Sequence, residues 1–87
     1  MFKKIYNISD QGIICDFGSE INKEINAKVI GVFNYINKNL KVKKELGIIN
    51  CIPSYNKLVI QYDLLLVSSA PIIKYIYSIK EHHLTYL

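Results

Sequence analysis

The order of two hydrophobic patterns constrains the fold of this chain most strongly. Twice along the sequence, two short strand-like stretches separated by turn-forming residues precede a stretch with helical spacing. Because two amphipathic helices need a sheet to cover, the order β-β-α-β-β-α predicts an α+β fold. The expected form is a two-layer sandwich, in which a four-stranded antiparallel sheet carries both helices on one face. The predicted strands are residues 4–8, 13–17, 48–52 and 58–62.

The two predicted helices differ in how they begin. Asn22 is the expected N-cap of the first, because its side chain can accept a hydrogen bond from a free amide of the first turn. The second helix is expected to begin at Ser68 or Ser69, since Pro71 is tolerated in a first turn. The first helix has apolar residues in steps of four, four, three and four, at Ile25, Val29, Phe33, Ile36 and Leu40. The second has a buried stripe of Ile72, Ile73, Ile76 and Ile79.

The predicted sheet has apolar residues on both faces. Simple alternation puts Ile48 and Ile52 on one face of the third strand and Ile49 and Cys51 on the other, although a one-residue register slip would invert the assignment. The face away from the helices is therefore expected to be covered, either by a second copy of the chain or by another domain. A homodimer through this open face predicts that a polar substitution at Ile49 or Val59 gives monomers.

Length and composition limit the classes of protein to consider. The 87 residues are enough for one domain, which we take as residues 1–87. No apolar run reaches the roughly 18 residues needed to span a bilayer, and no secretory signal follows Met1. We therefore expect a cytoplasmic protein without a membrane partner.

The positive charge raises the question of nucleic-acid binding. The net charge is +4, and all 11 basic residues are lysines. The absence of arginine argues against specific nucleic-acid recognition, because arginine supplies the bidentate contacts to guanine and phosphate. The densest lysine cluster is Lys38, Lys41, Lys43 and Lys44. We expect this cluster at a helix end and in the following loop. There the lysines would either form a solvated face or contact a polyanion.

Cysteine, histidine and glycine give little sign of a cofactor site. Cys15 and Cys51 are expected to be reduced side chains of the core, and no spacing suits a metal. His82 and His83 lie close to the carboxyl end and are expected to be exposed. The four glycines are isolated, so the chain has no phosphate-binding loop and is not expected to bind ATP by itself.

Two motif blocks carry a family resemblance. The first block runs from Ser9 to Gly18 and continues to Ile21-Asn22 and Asn26; the second spans residues 47–63. Together they resemble the amino-terminal domain of the allophanate hydrolase subunit 1 family. That family includes one of the subunits of bacterial 5-oxoprolinase and the kinase inhibitor KipI, and is related to the carboxyltransferase part of urea amidolyase. The resemblance covers about residues 6–63 and implies a DCoH-like arrangement of sheet and helices.

The family pattern also marks candidate residues for a functional site. Its Gly-Asp pair, its Pro-Ser-Tyr segment and its Tyr-Asp-Pro segment match this sequence, except that Ser9 replaces the glycine and Leu64 replaces the last proline. The resulting family-motif or interface candidates are Asp10, Asn26, Pro53, Ser54, Tyr55, Tyr62 and Asp63.

Each candidate has a structural and a functional interpretation. Asp10 is expected either to bond backbone amides in its turn or to contact a substrate or partner. The segment around Pro53 is expected to form a hairpin turn closed by paired aromatic residues, or to place Tyr55 and Asp63 at an interface or cleft edge. Ser54 has no evident base, so no catalytic residue is predicted.

The resemblance leads to three hypotheses about function. The first is a partial or non-catalytic subunit of an ATP-dependent complex that hydrolyses a cyclic amide or transfers a carboxyl group. The cyclophilin-like second domain of the family would then come from another polypeptide, because the sequence stops at Leu87. The second is a KipI-like inhibitor of a sensor histidine kinase. The third is a self-associating module without activity.

Overall fold

A computed structural model of the chain describes residues 2–9, 12–19, 22–65 and 67–84. It contains one four-stranded antiparallel sheet in the order β1-β2-β4-β3. The strands are β1 (Lys4–Ser9), β2 (Gly12–Asp16), β3 (Ile48–Pro53) and β4 (Lys57–Tyr62). The predicted α+β class and antiparallel sheet are confirmed, with each strand edge within one residue of its predicted position.

Within the described residues, three helices accompany the sheet: α1 (Lys23–Lys38), α2 (Leu40–Glu45) and α3 (Ser69–Ser78), and a short 3-10 turn (Glu81–His83) follows. The sequence predicted only α1 and α3. Asn39 interrupts the expected first helix, with φ −91° and ψ 65°, while its side-chain amide donates to the Tyr35 carbonyl at 3.1 Å. The lysines after Asn39 therefore lie on α2 instead of in a loop.

The predicted helix starts are confirmed. The Asn22 Oδ1 accepts a hydrogen bond from the Ile25 amide at 2.8 Å, which satisfies one of the free donors of the first turn of α1. Ser68 is the N-cap of α3, and Pro71 lies in the first turn of that helix, where a missing amide hydrogen costs little.

The core lies between the helices and one face of the sheet. The buried side chains of both long helices and of three strands form one continuous cluster, so both helices cover the same face, as predicted. In the predicted second stripe, Ile72, Ile76 and Ile79 are buried and Ile73 is half-buried. The sheet and α1 contribute Ile13, Cys15, Ile48, Cys51, Leu58, Ile60, Tyr62, Val29, Val32 and Ile36.

A register shift corrects the prediction for β3. The pairing of β3 with β4 is irregular between Ile48 and Asn50, so one extra residue is accommodated there. As a result, Ile48 and Cys51 are both buried, whereas Ile49 (60% exposed) and Ile52 (46%) are not. The expected grouping of Ile48 with Ile52 is wrong because simple alternation does not survive the bulge.

Both thiols are core side chains, as predicted, and neither forms a disulfide. Burial raises the pKa of Cys15 to about 12 and that of Cys51 to about 11. Among the helices that the structure describes, none has the length and apolar character needed to cross a membrane.

Candidate functional site

The two motif blocks meet at one end of the sheet. We call Gly18, Asn26, Ser54, Tyr55 and Asn56 the motif cluster. The Asn26 amide donates to the Tyr55 carbonyl at 3.1 Å, and the Asn56 amide donates to the Gly18 carbonyl at 2.6 Å. The loop after β2, the first turns of α1 and the β3–β4 turn are thereby joined by side-chain amides.

The β3–β4 turn follows from its sequence. Pro53 is the last residue of β3, and Ser54 closes the turn, because its amide and its hydroxyl both donate to the Lys57 carbonyl, at 2.8 and 3.2 Å. The predicted turn at Pro53 is confirmed. The expected aromatic pairing is wrong: Tyr55 is 46% exposed in the turn, whereas Tyr62 is buried opposite Ile48 at the far end of β4.

The loop after β2 depends on a glycine. Gly18 has φ +128°, a conformation that side chains with a Cβ rarely adopt. Its amide donates to the Asp16 Oδ1 at 2.9 Å, and the preceding Phe17 amide donates to the Asn56 carbonyl at 3.0 Å. The Gly18 carbonyl is thereby held where the amide of Asn56 reaches it.

Asp63 lies at the opposite end of β4 from the motif cluster. Its Oδ1 accepts from the Leu65 amide at 2.9 Å, and its own amide donates to the Gly47 carbonyl at 2.9 Å. Together with the Val67 amide, which donates to the Asp63 carbonyl at 3.1 Å, these bonds shape the loop before α3. Of the seven candidates, Asn26, Pro53, Ser54 and Tyr55 come together, Tyr62 and Asp63 lie apart, and Asp10 is outside the described residues.

The motif cluster offers little for catalysis. The Ser54 hydroxyl donates a hydrogen bond to the Lys57 carbonyl, and no histidine lies beside it within the described ranges. His83 instead stacks on Tyr35 with ring centroids 5.5 Å apart, and its Nδ1 accepts from the Lys80 amide at 3.1 Å. Both histidines are exposed, as predicted. Within the residues described, no three His, Cys, Asp or Glu side chains are grouped as a metal site would require.

A groove of approximately 400 Å³ lies elsewhere on the molecule. It is lined by Phe2, Tyr77, Ile79, Lys80 and Glu81, and contains none of the predicted candidates. The Phe2 ring packs edge-on to Tyr77 with centroids 6.2 Å apart, so part of the groove wall is an aromatic contact of the fold.

Two residues that complete the cluster, Asn56 and Gly18, are not among the candidates predicted from the sequence. Asn56 occupies a position that the family pattern leaves unspecified, and its partner is 38 residues away in the sequence. No local pattern reports such a distant bond. For Gly18 the sequence does give a signal, because a glycine directly after a strand is typical of a loop with positive φ.

The fold and the cluster define a small α+β domain whose motif residues join three loops. Comparison with known families identifies it further: the chain belongs to the family described as "carboxyltransferase domain, subdomain C and D", which matches residues 3–85. The family resemblance is thus confirmed.

A solved structure has the same fold. The conserved uncharacterized protein PH0987 from Pyrococcus horikoshii matches with a TM-score of 0.69 and 25% sequence identity. The match covers 92% of this chain and 35% of that protein, so the chain spans about a third of its length. No curated protein matches the sequence.

Proposed function

We propose that this chain is a non-catalytic subunit of a complex related to 5-oxoprolinase and allophanate hydrolase. This cytoplasmic complex would catalyse either the ATP-dependent hydrolysis of a cyclic amide or the transfer of a carboxyl group. Membership of the carboxyltransferase subdomain family supports the relation to such enzymes. The catalytic groups, the ATP site and a cyclophilin-like domain would be supplied by a second polypeptide.

One observation carries the non-catalytic role. The polar side chains of the motif cluster are used for internal hydrogen bonds: Asn26 and Asn56 donate to backbone carbonyls, and Ser54 does the same within its own turn. A nucleophile needs a base within hydrogen-bond distance, and Ser54 has a carbonyl there instead. The motif cluster is therefore better suited to hold the β3–β4 turn in place as a binding surface than to catalyse a reaction.

Tyr55 is the residue of that surface best suited to contact a partner. The residue is 46% exposed, while its backbone carbonyl accepts a hydrogen bond from Asn26. A large aromatic side chain on a fixed backbone loses little conformational entropy on binding, which is why tyrosine is common at interface centres.

The proposal is tested by reconstitution. The chain is mixed with the product of the adjacent open reading frame, and ATP-dependent hydrolysis of 5-oxoproline is measured with complex formation by light scattering. We expect activity only when both polypeptides are present, and weaker assembly for Tyr55→Ala. Tyr77→Ala is the matched control, because Tyr77 is also an exposed tyrosine, at 55%, on a different surface. Since Tyr77 also contacts Phe2, circular dichroism first checks that this variant is folded.

Two outcomes would contradict the subunit role. Activity that is unchanged when this chain is omitted would show that the partner does not need it. Binding to a sensor histidine kinase, with inhibition of its autophosphorylation and no effect on hydrolysis, would replace the proposal with the KipI-like function.

A further inference from the structure

The sheet face opposite α1 and α3 carries an apolar row that crosses all four strands. The strand register aligns Tyr6, Ile14, Val59 and Ile52 side by side. Ile14 and Val59 are half-buried and Ile52 is 46% exposed, because no helix of the described residues covers this row. We call this surface the open face.

Charged and polar residues border the apolar row along the central strands. On one side Lys4, Asp16 and Lys57 form a second aligned row. On the other side Gly12 is aligned with Gln61, while the exposed Ile8 and Ile49 extend the apolar surface on the edge strands. The Lys4 Nζ lies 5.0 Å from the centre of the Tyr6 ring, which places that lysine over the open face as well. An apolar centre with a polar border is typical of a protein–protein interface.

We propose that the open face binds a second copy of this chain, about a two-fold axis parallel to the strands. Such an axis passes between the central strands β2 and β4 and lays β2 of one copy over β4 of the other. Two sheets that pack face to face in this way lie about 10 Å apart and within about 30° of parallel.

The sequence of the central strands is complementary to itself under this symmetry. Each β2 residue meets the β4 residue with which it is already aligned in its own sheet, so Asp16 meets Lys57 of the second copy. Ile14 meets Val59 at the centre, and Gly12 leaves room for the longer Gln61. These contacts occur twice, as an isologous interface requires.

The alternative two-fold axis fits less well. An axis across the strands would place Asp16 over Gly12 and Lys57 over Gln61, so that neither charge would meet an opposite charge across the interface. Desolvated charges need a partner of opposite sign, so the axis parallel to the strands is favoured.

The size of the face indicates a reversible dimer. Four strands about 4.8 Å apart, each about six residues long, give a plane of about 400 Å² per copy. Side chains project from that plane, so the total buried area reaches about 1,000 Å², at the lower end for specific interfaces. The dimer should therefore dissociate on dilution. This inference does not depend on the proposed subunit role.

Sedimentation equilibrium of the chain alone over a concentration series tests the proposal. We expect a monomer–dimer equilibrium, and Ile52→Lys should raise the dissociation constant by about tenfold or more, because a lysine then replaces isoleucine at each end of the apolar row, opposite Tyr6 of the second copy. Leu40→Lys is the matched control, since Leu40 is exposed on α2 and should leave association unchanged. Circular dichroism checks that each variant is folded.

A charge variant tests the symmetry separately. Lys57→Glu sets two carboxylates against each other at both Asp16 contacts, and should weaken the dimer even in a folded protein. Val59→Lys provides a second disruption of the apolar row. A wild-type chain that stays monomeric, a dimer that survives Ile52→Lys and Val59→Lys, or one indifferent to Lys57→Glu would each overturn the proposal.

Discussion

The hydrogen bond from Asn56 to the Gly18 carbonyl gives the sharpest prediction for stability. Asn56→Ala removes the donor and leaves the carbonyl of a buried glycine without its partner. The loss of a hydrogen bond of this kind costs about 0.5–1.5 kcal/mol, and leaving a buried acceptor unpaired raises the cost to about 1–3 kcal/mol. Because the amide is 2.6 Å from the carbonyl and lies in a partly buried site, we expect about 2 kcal/mol.

Urea unfolding followed by circular dichroism measures this cost. In thermal unfolding of a domain of this size, the same loss of about 2 kcal/mol lowers the melting temperature by roughly 8–16 °C. Asn56→Asp adds a stricter test, because it keeps the shape of the side chain but turns an oxygen toward the carbonyl. We expect it to destabilise at least as much as the alanine variant.

The matched control is Asn50→Ala, at an exposed position of β3. Exposed substitutions usually change the free energy of unfolding by less than about 0.5 kcal/mol. If Asn56→Ala falls within that same range, the bond does not hold the two loops together and the structural role of the motif cluster is refuted. All variants are compared at low concentration, so that association does not contribute.

Three further predictions concern the backbone, a helix cap and the thiols. Gly47→Ala should cost about 1–3 kcal/mol in urea unfolding, because Gly47 has φ +69° and an added Cβ would lie 2.9 Å from a Val67 methyl. Asn22→Ala should cost about 1 kcal/mol by removing the N-cap of α1. The free energy of unfolding should fall as the pH rises above 9.0, because the unfolded thiols ionise there while the folded pKa values of Cys15 and Cys51 are about 12 and 11.

Each of these predictions has a control. Val67→Ala should relieve the steric part of the Gly47→Ala defect and leave the backbone part. Asn22→Ser retains a capping oxygen and should recover most of the lost stability. The double variant Cys15→Ala/Cys51→Ala should have a weaker dependence on pH above 9.0; an unchanged slope would mean that other groups cause it.

The predicted helices and strands are correct where they depend on residues close together in the sequence. The apolar steps from Ile25 to Ile36 define the buried side of α1, and Asn22 caps it as its side-chain chemistry suggests. The missed helix α2 shows the limit of that approach. Leu40 continues the apolar spacing, but Asn39 leaves the helical conformation and bonds back to the Tyr35 carbonyl, so a new helix begins after it.

The errors in the sheet and the candidate site have a shared cause. A bulge between Ile48 and Asn50 is set by pairing with β4, and the bond of Asn56 is set by a loop of another strand. Both depend on residues distant in sequence. Tyr62 and Asp63 follow Tyr55 in one motif, yet they lie at the opposite end of the six-residue strand β4.

The strand order has a consequence for the speed of folding. β1–β2 and β3–β4 are hairpins that can form locally, but the sheet is completed only when β2 pairs with β4, across a stretch that contains all of α1. Closing that stretch costs chain entropy before the contacts of the core repay it. Docking of the two hairpins should therefore limit the folding rate. The hydrogen bond from Asn56 to the Gly18 carbonyl would form after that step, once the sheet is complete.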